Sequence, residues 1–219
     1  MPLIGYILTL LIAYLLGSIP TGYLVAEARG VDIRKVGSGN IGATNVFRIL
    51  GTPAGIFVLL ADAAKGWVAV FFAAKLLCAW SYPNAGEQAL EWFRLGAGVA
   101  SILGHNFTCW LRFKGGKGIA TSAGVLLALV PVALLIALGV WIVVFACSRY
   151  VSLASISAAA SLPFTVWLRG ESRTLVAVIA ALAVLAIYKH KGNIQRLLNG
   201  TENKIGGKKT PPPAAAAGA

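Results

Sequence analysis

Residues 119–147 read IATSAGVLLALVPVALLIALGVWIVVFAC, an apolar stretch without a charged side chain. It holds about thirty residues, whereas one upright helix needs roughly twenty to cross a bilayer. Pro131 lies near its middle, so the stretch is either one tilted, kinked helix or a hairpin of two shorter helices. The choice between these two structures decides how many times the chain crosses the membrane.

The whole chain has the composition of an integral membrane protein. Of its 219 residues, 58% are apolar and 12% are charged, and the mean hydropathy is +0.80. Helices are expected because they satisfy their own backbone hydrogen bonds in lipid. The net charge of +12 does not indicate nucleic-acid binding, because the cations lie between apolar segments, as in cytoplasmic loops beside anionic headgroups. The sequence therefore predicts an all-α integral membrane protein.

Five further apolar segments flank this stretch, at residues 3–26, 53–79, 92–110, 156–168 and 174–188. The first ends in GSIPTG, and such breaks are tolerated where a helix faces protein or a polar cavity. The second contains Asp62 and Lys65, which share a helix face and are expected to pair with each other in the membrane. A structural ion pair and a role in substrate binding are equally compatible with that pairing.

Charge asymmetry predicts the topology. Fourteen of the nineteen Lys and Arg residues lie in segments 27–51, 112–117, 148–150 and 189–209, which the positive-inside rule makes cytoplasmic. An even number of crossings must then separate Lys117 from Arg149, so the apolar stretch between them is a hairpin. We predict seven transmembrane helices, with the N-terminus outside and the C-terminus in the cytoplasm. Residues 1–209 are expected to form one membrane domain, and 210–219 (TPPPAAAAGA) a disordered tail.

The first of three polar clusters in these segments is GSGNIGATN, at residues 37–45. Glycine lets backbone N–H groups turn toward a ligand, while Ser, Thr and Asn add short donors. With Arg34, Lys35 and Arg48 beside it, the cluster is typical of a cradle for a phosphorylated group. An ordinary flexible loop would have a similar composition.

The second cluster, FKGGKG at 113–118, places lysines and glycines at the start of the next helix, where an anion can bind. It lacks the glycine spacing and the final Ser or Thr of an ATP-binding P-loop. The third, KHKGNIQRLLNGTE at 189–202, repeats His190, Asn193 and Arg196 every three residues, which puts them on one helix arc. A cationic membrane anchor and plain polar residues are the alternatives here.

These cytoplasmic segments supply many cations and almost no carboxylates. That balance fits anionic phosphate groups and argues against a metal held by carboxylates. The three cysteines lack metal-ligand spacing and do not suggest a disulfide framework. The sequence therefore predicts no metal and no cofactor.

Long motifs of this chain resemble, in order and spacing, the bacterial acyl-phosphate:glycerol-3-phosphate acyltransferases, the PlsY family. The motifs are GSIPTGYLVA, DIRKVGSGNIGATNVFRILG, ADAAKG, GHNFTCWLRFKGGKGIAT and HKGNIQRLLNGTE. The resemblance implies a seven-helix, multi-pass enzyme of the bacterial inner membrane with its active site on the cytoplasmic face. Such an enzyme transfers an acyl group from acyl phosphate to the 1-hydroxyl of sn-glycerol 3-phosphate, releasing lysophosphatidic acid and phosphate in the first acylation of phospholipid synthesis. The enzyme that forms acyl phosphate is a further expected partner.

The resemblance also implies the roles of individual residues. Residues 37–45 and 115–118 match the first and second phosphate-binding loops, although many relatives have a proline-containing run at 108–110. The residues matched to reaction chemistry are Lys117, His190, Asn193 and Arg48. The residues matched to substrate binding are Ser38, Gly39, Asn40, Thr44, Asn45, Gly115, Gly116, Gly118 and Ser155.

Two other functions share parts of this sequence pattern. An acyltransferase that uses acyl-CoA or acyl carrier protein through a His-x₄-Asp dyad is disfavoured, because Trp110 and Gln195 stand five residues after the two histidines. A phosphometabolite transporter would also combine apolar helices with basic loops, but its polar groups would lie near the bilayer midplane in inverted repeats. For the acyl transfer itself, the base is either His190 or a phosphate oxygen of the acyl phosphate.

Overall fold

The structure is a computed structural model that describes residues 1–206, so the predicted tail at 210–219 lies outside the described residues. The described part of the chain contains helices and no strand. Its α-helices are α1 (Pro2–Ser18), α2 (Thr21–Glu27), α3 (Ala43–Leu50), α4 (Thr52–Val68), α5 (Ala74–Ser81), α6 (Glu87–Asn106), α7 (Ile119–Leu129), α8 (Pro131–Ser148), α9 (Val151–Leu168), α10 (Arg173–Lys189) and α11 (Lys191–Leu198). One turn of π-helix, Ala69–Ala73, joins α4 to α5.

The break predicted from GSIPTG separates α1 from α2 and faces protein. A proline in this position leaves carbonyl groups without their helical partners. Thr108 donates its hydroxyl to the carbonyl of Ser18 at 2.6 Å, and the Lys65 ammonium donates to the carbonyl of Ile19 at 2.8 Å. The interrupted helix end is therefore held by side chains from two neighbouring segments.

The long apolar stretch divides at Val130 into α7 and α8. Val130 packs with Val166 near the end of α9 and with Leu175 near the start of α10. At the other end, Lys117 before α7 contacts Asn193, and Ile205 donates its N–H to the carbonyl of Arg149 after α8. The chain thus runs away from these polar residues and returns, as the hairpin prediction requires.

The helix bundle has two ends that differ in chemistry. One end, called the basic end below, carries residues 28–51, 107–118, 149–150 and 190–206. The opposite end includes the contact of Tyr6 with Phe93 and the hydrogen bond from Ser172 to Glu91. The basic connections predicted from charge asymmetry are therefore collected on one end of the bundle.

Within residues 1–206, four helical stretches are long and apolar enough to cross a membrane, namely Pro2–Glu27, Thr52–Ser81, Pro131–Ser148 and Val151–Leu168. The bent pair of α10 and α11 would make a fifth. Helix α6 begins with a charged turn, and α7 has 11 residues, which span only about 16 Å. Seven crossings and the orientation in the membrane therefore stay predictions.

Small residues bring the helices of the bundle close together. A Cβ atom on Gly17 of α1 would overlap the carbonyl of Ser101 in α6. Likewise, a Cβ on Gly124 of α7 would overlap the carbonyl of Ala63 in α4. Close backbone approach of this kind is how membrane helices gain packing energy where lipid supplies no hydrophobic driving force. It fixes α7, and the loop before it, against α4.

Candidate active site

A cavity of about 560 Å³ opens between the helices and has a polar and an apolar part. The polar part lies at the basic end and draws side chains from four separate segments of the chain. The apolar part continues between α6, α7, α8, α9 and α10. The polar lining residues include Ser38, Asn40, Thr44, Asn45, Arg48, Lys117, Ser152, Ser155, His190, Asn193, Arg196 and Glu202, and the apolar ones include Leu95, Val99, Leu126, Leu129, Leu134, Leu162 and Leu182.

Asn45 organises the first glycine loop from within α3. Its side chain is 1% exposed, so each of its polar atoms needs a partner. The amide nitrogen donates to the carbonyl of Val36 at 3.1 Å, and the amide oxygen accepts from the backbone N–H of Ser38 at 2.9 Å. The same oxygen accepts from Arg48 at 3.3 Å. One buried amide therefore ties the loop to the arginine beside the cavity.

Lys117 lies in the second glycine loop, two residues before α7 begins. Its ammonium donates to the amide oxygen of Asn193. The preceding backbone is anchored on the end of α6, because the N–H of Gly116 donates to the carbonyl of His105 at 3.0 Å. Gly118 has a φ of +81°, a conformation that favours glycine. These contacts hold the lysine at the polar end of the cavity.

His190 and Asn193 come from the bend between α10 and α11, and both are buried. His190 Nδ1 lies 2.8 Å from the carbonyl of Ala186, so in the neutral ring this nitrogen carries the hydrogen and Nε2 is left as an acceptor. Asn193 donates its amide N–H to Glu202 Oε1 at 2.7 Å. The two side chains thus offer an acceptor and a fixed amide to the cavity.

The site residues predicted from the sequence divide into two groups. Arg48, Lys117, His190, Asn193, Ser38, Asn40, Thr44, Asn45, Gly118 and Ser155 all line the same cavity. Gly39, Gly115 and Gly116 do not line it. Gly39 makes a turn at a φ of +68°, while Gly115 and Gly116 pack against the backbone and side chain of His105. These three glycines shape the loops, and their predicted part in substrate binding stays a prediction.

Sequence reasoning missed two residues that line the cavity, His105 at the end of α6 and Glu202 after α11. Glu202 lies among the donors of the polar part. Its side chain is 7% exposed and accepts from Asn193, from Ser152 at 3.0 Å and from Arg196 at 2.7 Å. The available signal was its place at the end of the third polar cluster, in a chain with only seven acidic residues. The sequence alone gives an acid no evident role beside a phosphate site. Only the fold shows that Glu202 accepts hydrogen bonds from three neighbouring donors.

Charge in the polar part of the cavity is positive. Arg48, Lys117 and Arg196 outnumber Glu202 there. Burial lowers the pKa of Lys117 to about 8, and the nearby arginines contribute to the shift while Glu202 partly offsets it. Burial also lowers the pKa of Arg48, although an arginine stays protonated at neutral pH. A dianionic ligand would reduce the electrostatic repulsion among these cations.

Known proteins match this chain over almost its whole described length. The family profile described as glycerol-3-phosphate acyltransferase matches residues 7–200. The chain belongs to the glycerol-3-phosphate acyltransferase family. A glycerol-3-phosphate acyltransferase of Geotalea daltonii is 48% identical over 191 residues, which cover 87% of this chain and 93% of that one. Another, from Thermosynechococcus vestitus, is 46% identical over 90% of this chain and 93% of its own length.

Solved structures of this acyltransferase family have the same fold. A crystal structure of PlsY, an integral membrane glycerol 3-phosphate acyltransferase in its glycerol 3-phosphate form, superposes with a TM-score of 0.79 at 39% identity. The superposition covers 91% of this chain and 94% of the PlsY chain. The lysophosphatidic acid form of that protein gives a TM-score of 0.78. The family resemblance and the all-helical integral membrane fold predicted from the sequence are therefore confirmed.

Proposed function

We propose that this protein transfers a fatty acyl group from acyl phosphate to the 1-hydroxyl of sn-glycerol 3-phosphate. The products are lysophosphatidic acid and inorganic phosphate, and the reaction is the first acylation of phospholipid synthesis. The protein acts in the bacterial inner membrane, with the basic end and its cavity facing the cytoplasm. The enzyme that makes acyl phosphate is its supplier on the same membrane.

The observation that carries this proposal is the two-part cavity. Its polar part combines Lys117, Arg48 and Arg196 with short amide and hydroxyl donors, and its apolar part extends among the bundle helices. Acyl phosphate has the same two parts, an anionic head and an apolar chain. Apolar walls with a few convergent polar groups are typical of small-molecule sites. The excess of cations suits two phosphorylated substrates, whose mutual repulsion the site must screen.

In the proposed reaction, the 1-hydroxyl oxygen attacks the carbonyl carbon of the acyl phosphate. The new ester C–O bond forms, the C–O bond to phosphate breaks, and the hydroxyl proton leaves with a base. The mixed anhydride is already activated, so the protein mainly positions the substrates and stabilises charge, effects worth several kcal/mol. Lys117 and Arg48 bind phosphate oxygens, while His190 and Asn193 orient the glycerol 3-phosphate.

The proton acceptor in this scheme is a phosphate oxygen of the acyl phosphate. The second pKa of a phosphate group is about 6, so the departing group can accept the hydroxyl proton as the C–O bond breaks. The free Nε2 of His190 makes the imidazole the alternative base, and it also suits a hydrogen bond that aligns the hydroxyl. Loss of turnover in His190→Ala with unchanged affinity for glycerol 3-phosphate, and loss of one pKa from the rate profile, would favour His190.

The deciding experiment follows labelled glycerol 3-phosphate into lipid with the purified protein. Acyl phosphate, acyl-CoA and acyl carrier protein are compared as donors at matched chain length. We expect transfer from acyl phosphate alone. Transfer from a thioester donor would refute the proposed donor, while no transfer from any donor would refute the acyltransferase activity and favour transport of a phosphometabolite.

A further inference from the structure

Asp62, Lys65 and His105 form a buried polar cluster beneath the second glycine loop. Their exposed fractions are 2%, 7% and 5%. The Lys65 ammonium lies 2.8 Å from Asp62 Oδ1 and 3.0 Å from His105 Nδ1, and it donates to the carbonyl of Ile19 at 2.8 Å. The ion pair expected from the sequence is therefore present, but it is part of a larger cluster that joins α4, α6 and the break after α1.

The geometry of this cluster fixes the histidine ring. An ammonium carries only N–H donors and has no lone pair with which to accept a hydrogen bond. His105 Nδ1 must then accept, so the hydrogen of a neutral ring is on Nε2. Removing Lys65 would free the ring to rotate, and removing only one charge would leave the other buried without a partner.

The other edge of the His105 ring lies against the loop that carries Lys117. A Cβ on Gly116 would overlap His105 Nε2. The N–H of Gly116 donates to the carbonyl of His105 at 3.0 Å, and the N–H of Gly115 donates to the carbonyl of Asn106 at 3.2 Å. Gly115 and Gly116 therefore contact the end of α6, where the Lys65 ammonium holds the His105 ring in place.

We propose that Asp62, Lys65 and His105 are positioning residues that set the second glycine loop so that Lys117 reaches the phosphate of glycerol 3-phosphate. The inference rests on the proposed function, in which Lys117 binds that phosphate. A role limited to holding helices together would not require the cluster to touch the loop. Charged groups within spanning segments are costly and mark functional positions, and this cluster is in direct contact with the backbone of the loop that carries Lys117.

A double-mutant cycle between His105→Ala and Gly116→Ala tests the contact itself. Each single change displaces the loop, and we expect KM for glycerol 3-phosphate to rise at least about tenfold with a smaller change in kcat. In the double variant the new methyl group fills space that the ring vacated, so the rise should be clearly smaller than the product of the two single effects. Effects that simply multiply would overturn the proposal.

A second variant tests the buried charges without leaving one of them unpaired. Asp62→Asn/Lys65→Met removes both charges, and Lys75→Met, an exposed lysine on the same long helical stretch, is the matched control. We expect a tenfold or greater rise of KM for glycerol 3-phosphate in the double variant and none in the control. A folded double variant with unchanged KM would refute the positioning role.

The rate of trypsin cleavage after Lys117, followed by mass spectrometry, reports the position of the second glycine loop independently of activity. In the double variant a displaced loop should be cut faster than in the unaltered protein, while equal rates would refute the proposal. If the unaltered protein shows no acyl transfer at all, the proposed function fails, and this cleavage comparison still decides whether the cluster positions the loop.

Discussion

Lys117 shows how a single side chain depends on distant parts of the chain. Its backbone is anchored on α6 through Gly116, and its ammonium is directed by Asn193 from the segment after α10. Three residues earlier, Lys114 belongs to the same basic cluster but is exposed and does not line the cavity. The two lysines therefore form a natural pair of a test residue and a control.

Lys117→Ala should lower kcat/KM for acyl transfer by about 100-fold, the usual effect of removing one charge-stabilising group from a site that excludes water. Lys114→Ala should stay within a few-fold of the unaltered protein. Initial rates at several glycerol 3-phosphate concentrations measure both effects. Equal losses in the two variants would show that the cluster acts only as a general cationic surface.

The pH dependence of substrate capture should report the same lysine. Since burial lowers the pKa of Lys117 to about 8, the ammonium is present below that pH and is lost above it. We expect kcat/KM for glycerol 3-phosphate to fall by roughly tenfold per pH unit above about 8. In Lys117→Arg the decline should disappear, because a guanidinium stays protonated. An unchanged alkaline limb in that variant would assign the ionisation to another group.

At the scale of elements, the contact of α4 with α7 determines the position of the second glycine loop. Gly124 meets the carbonyl of Ala63, and Gly66 meets the carbonyl of Thr121, so the two helices touch through their backbones. Lys65 directly precedes Gly66 in α4, and its cluster joins the same helix to His105 at the end of α6. A change in the separation of these helices would move the second glycine loop, which leads directly into α7.

Gly124→Ala should therefore destabilise the protein by about 1–3 kcal/mol, as overpacking does in other well-packed cores, and should raise KM for glycerol 3-phosphate. Gly139→Ala is the matched control on α8, because nothing lies within 4 Å of a Cβ at that position. It should be neutral or more stable by about 0.5–1 kcal/mol. Thermal unfolding in detergent measures both. A Gly124→Ala protein as stable as the control would show that α4 and α7 do not touch as described.

For the whole molecule, the orientation is the main prediction to test. Reporter proteins fused at Val130 and within residues 169–172 should lie on the periplasmic side, and those fused at 112–117 and 149–150 should lie in the cytoplasm. The hairpin of α7 and α8 depends on this pattern. A cytoplasmic location for the fusion at Val130 would reduce the number of crossings and contradict the seven-helix topology.

Much of the fold could be predicted because its causes are local. The break between α1 and α2 follows from Pro20. The division of the 119–147 stretch follows from its length, from Pro131 and from the charges at its two ends. The pairing of Asp62 with Lys65 follows from their helical spacing. The third member, His105, lies forty residues further along, and no periodicity relates its ring to the ammonium.

By itself, the sequence determined a helical membrane protein with a basic end, and it assigned that protein to its acyltransferase family. These features follow from composition, charge order and local motifs, which act within one helix or one loop. Only the tertiary structure decided which donors share a cavity, that Glu202 accepts from three of them, and that Gly115 and Gly116 pack against His105. The reason is that side-chain contacts between distant segments depend on how closely the helices pack, and the small residues that allow this packing do not indicate their partners.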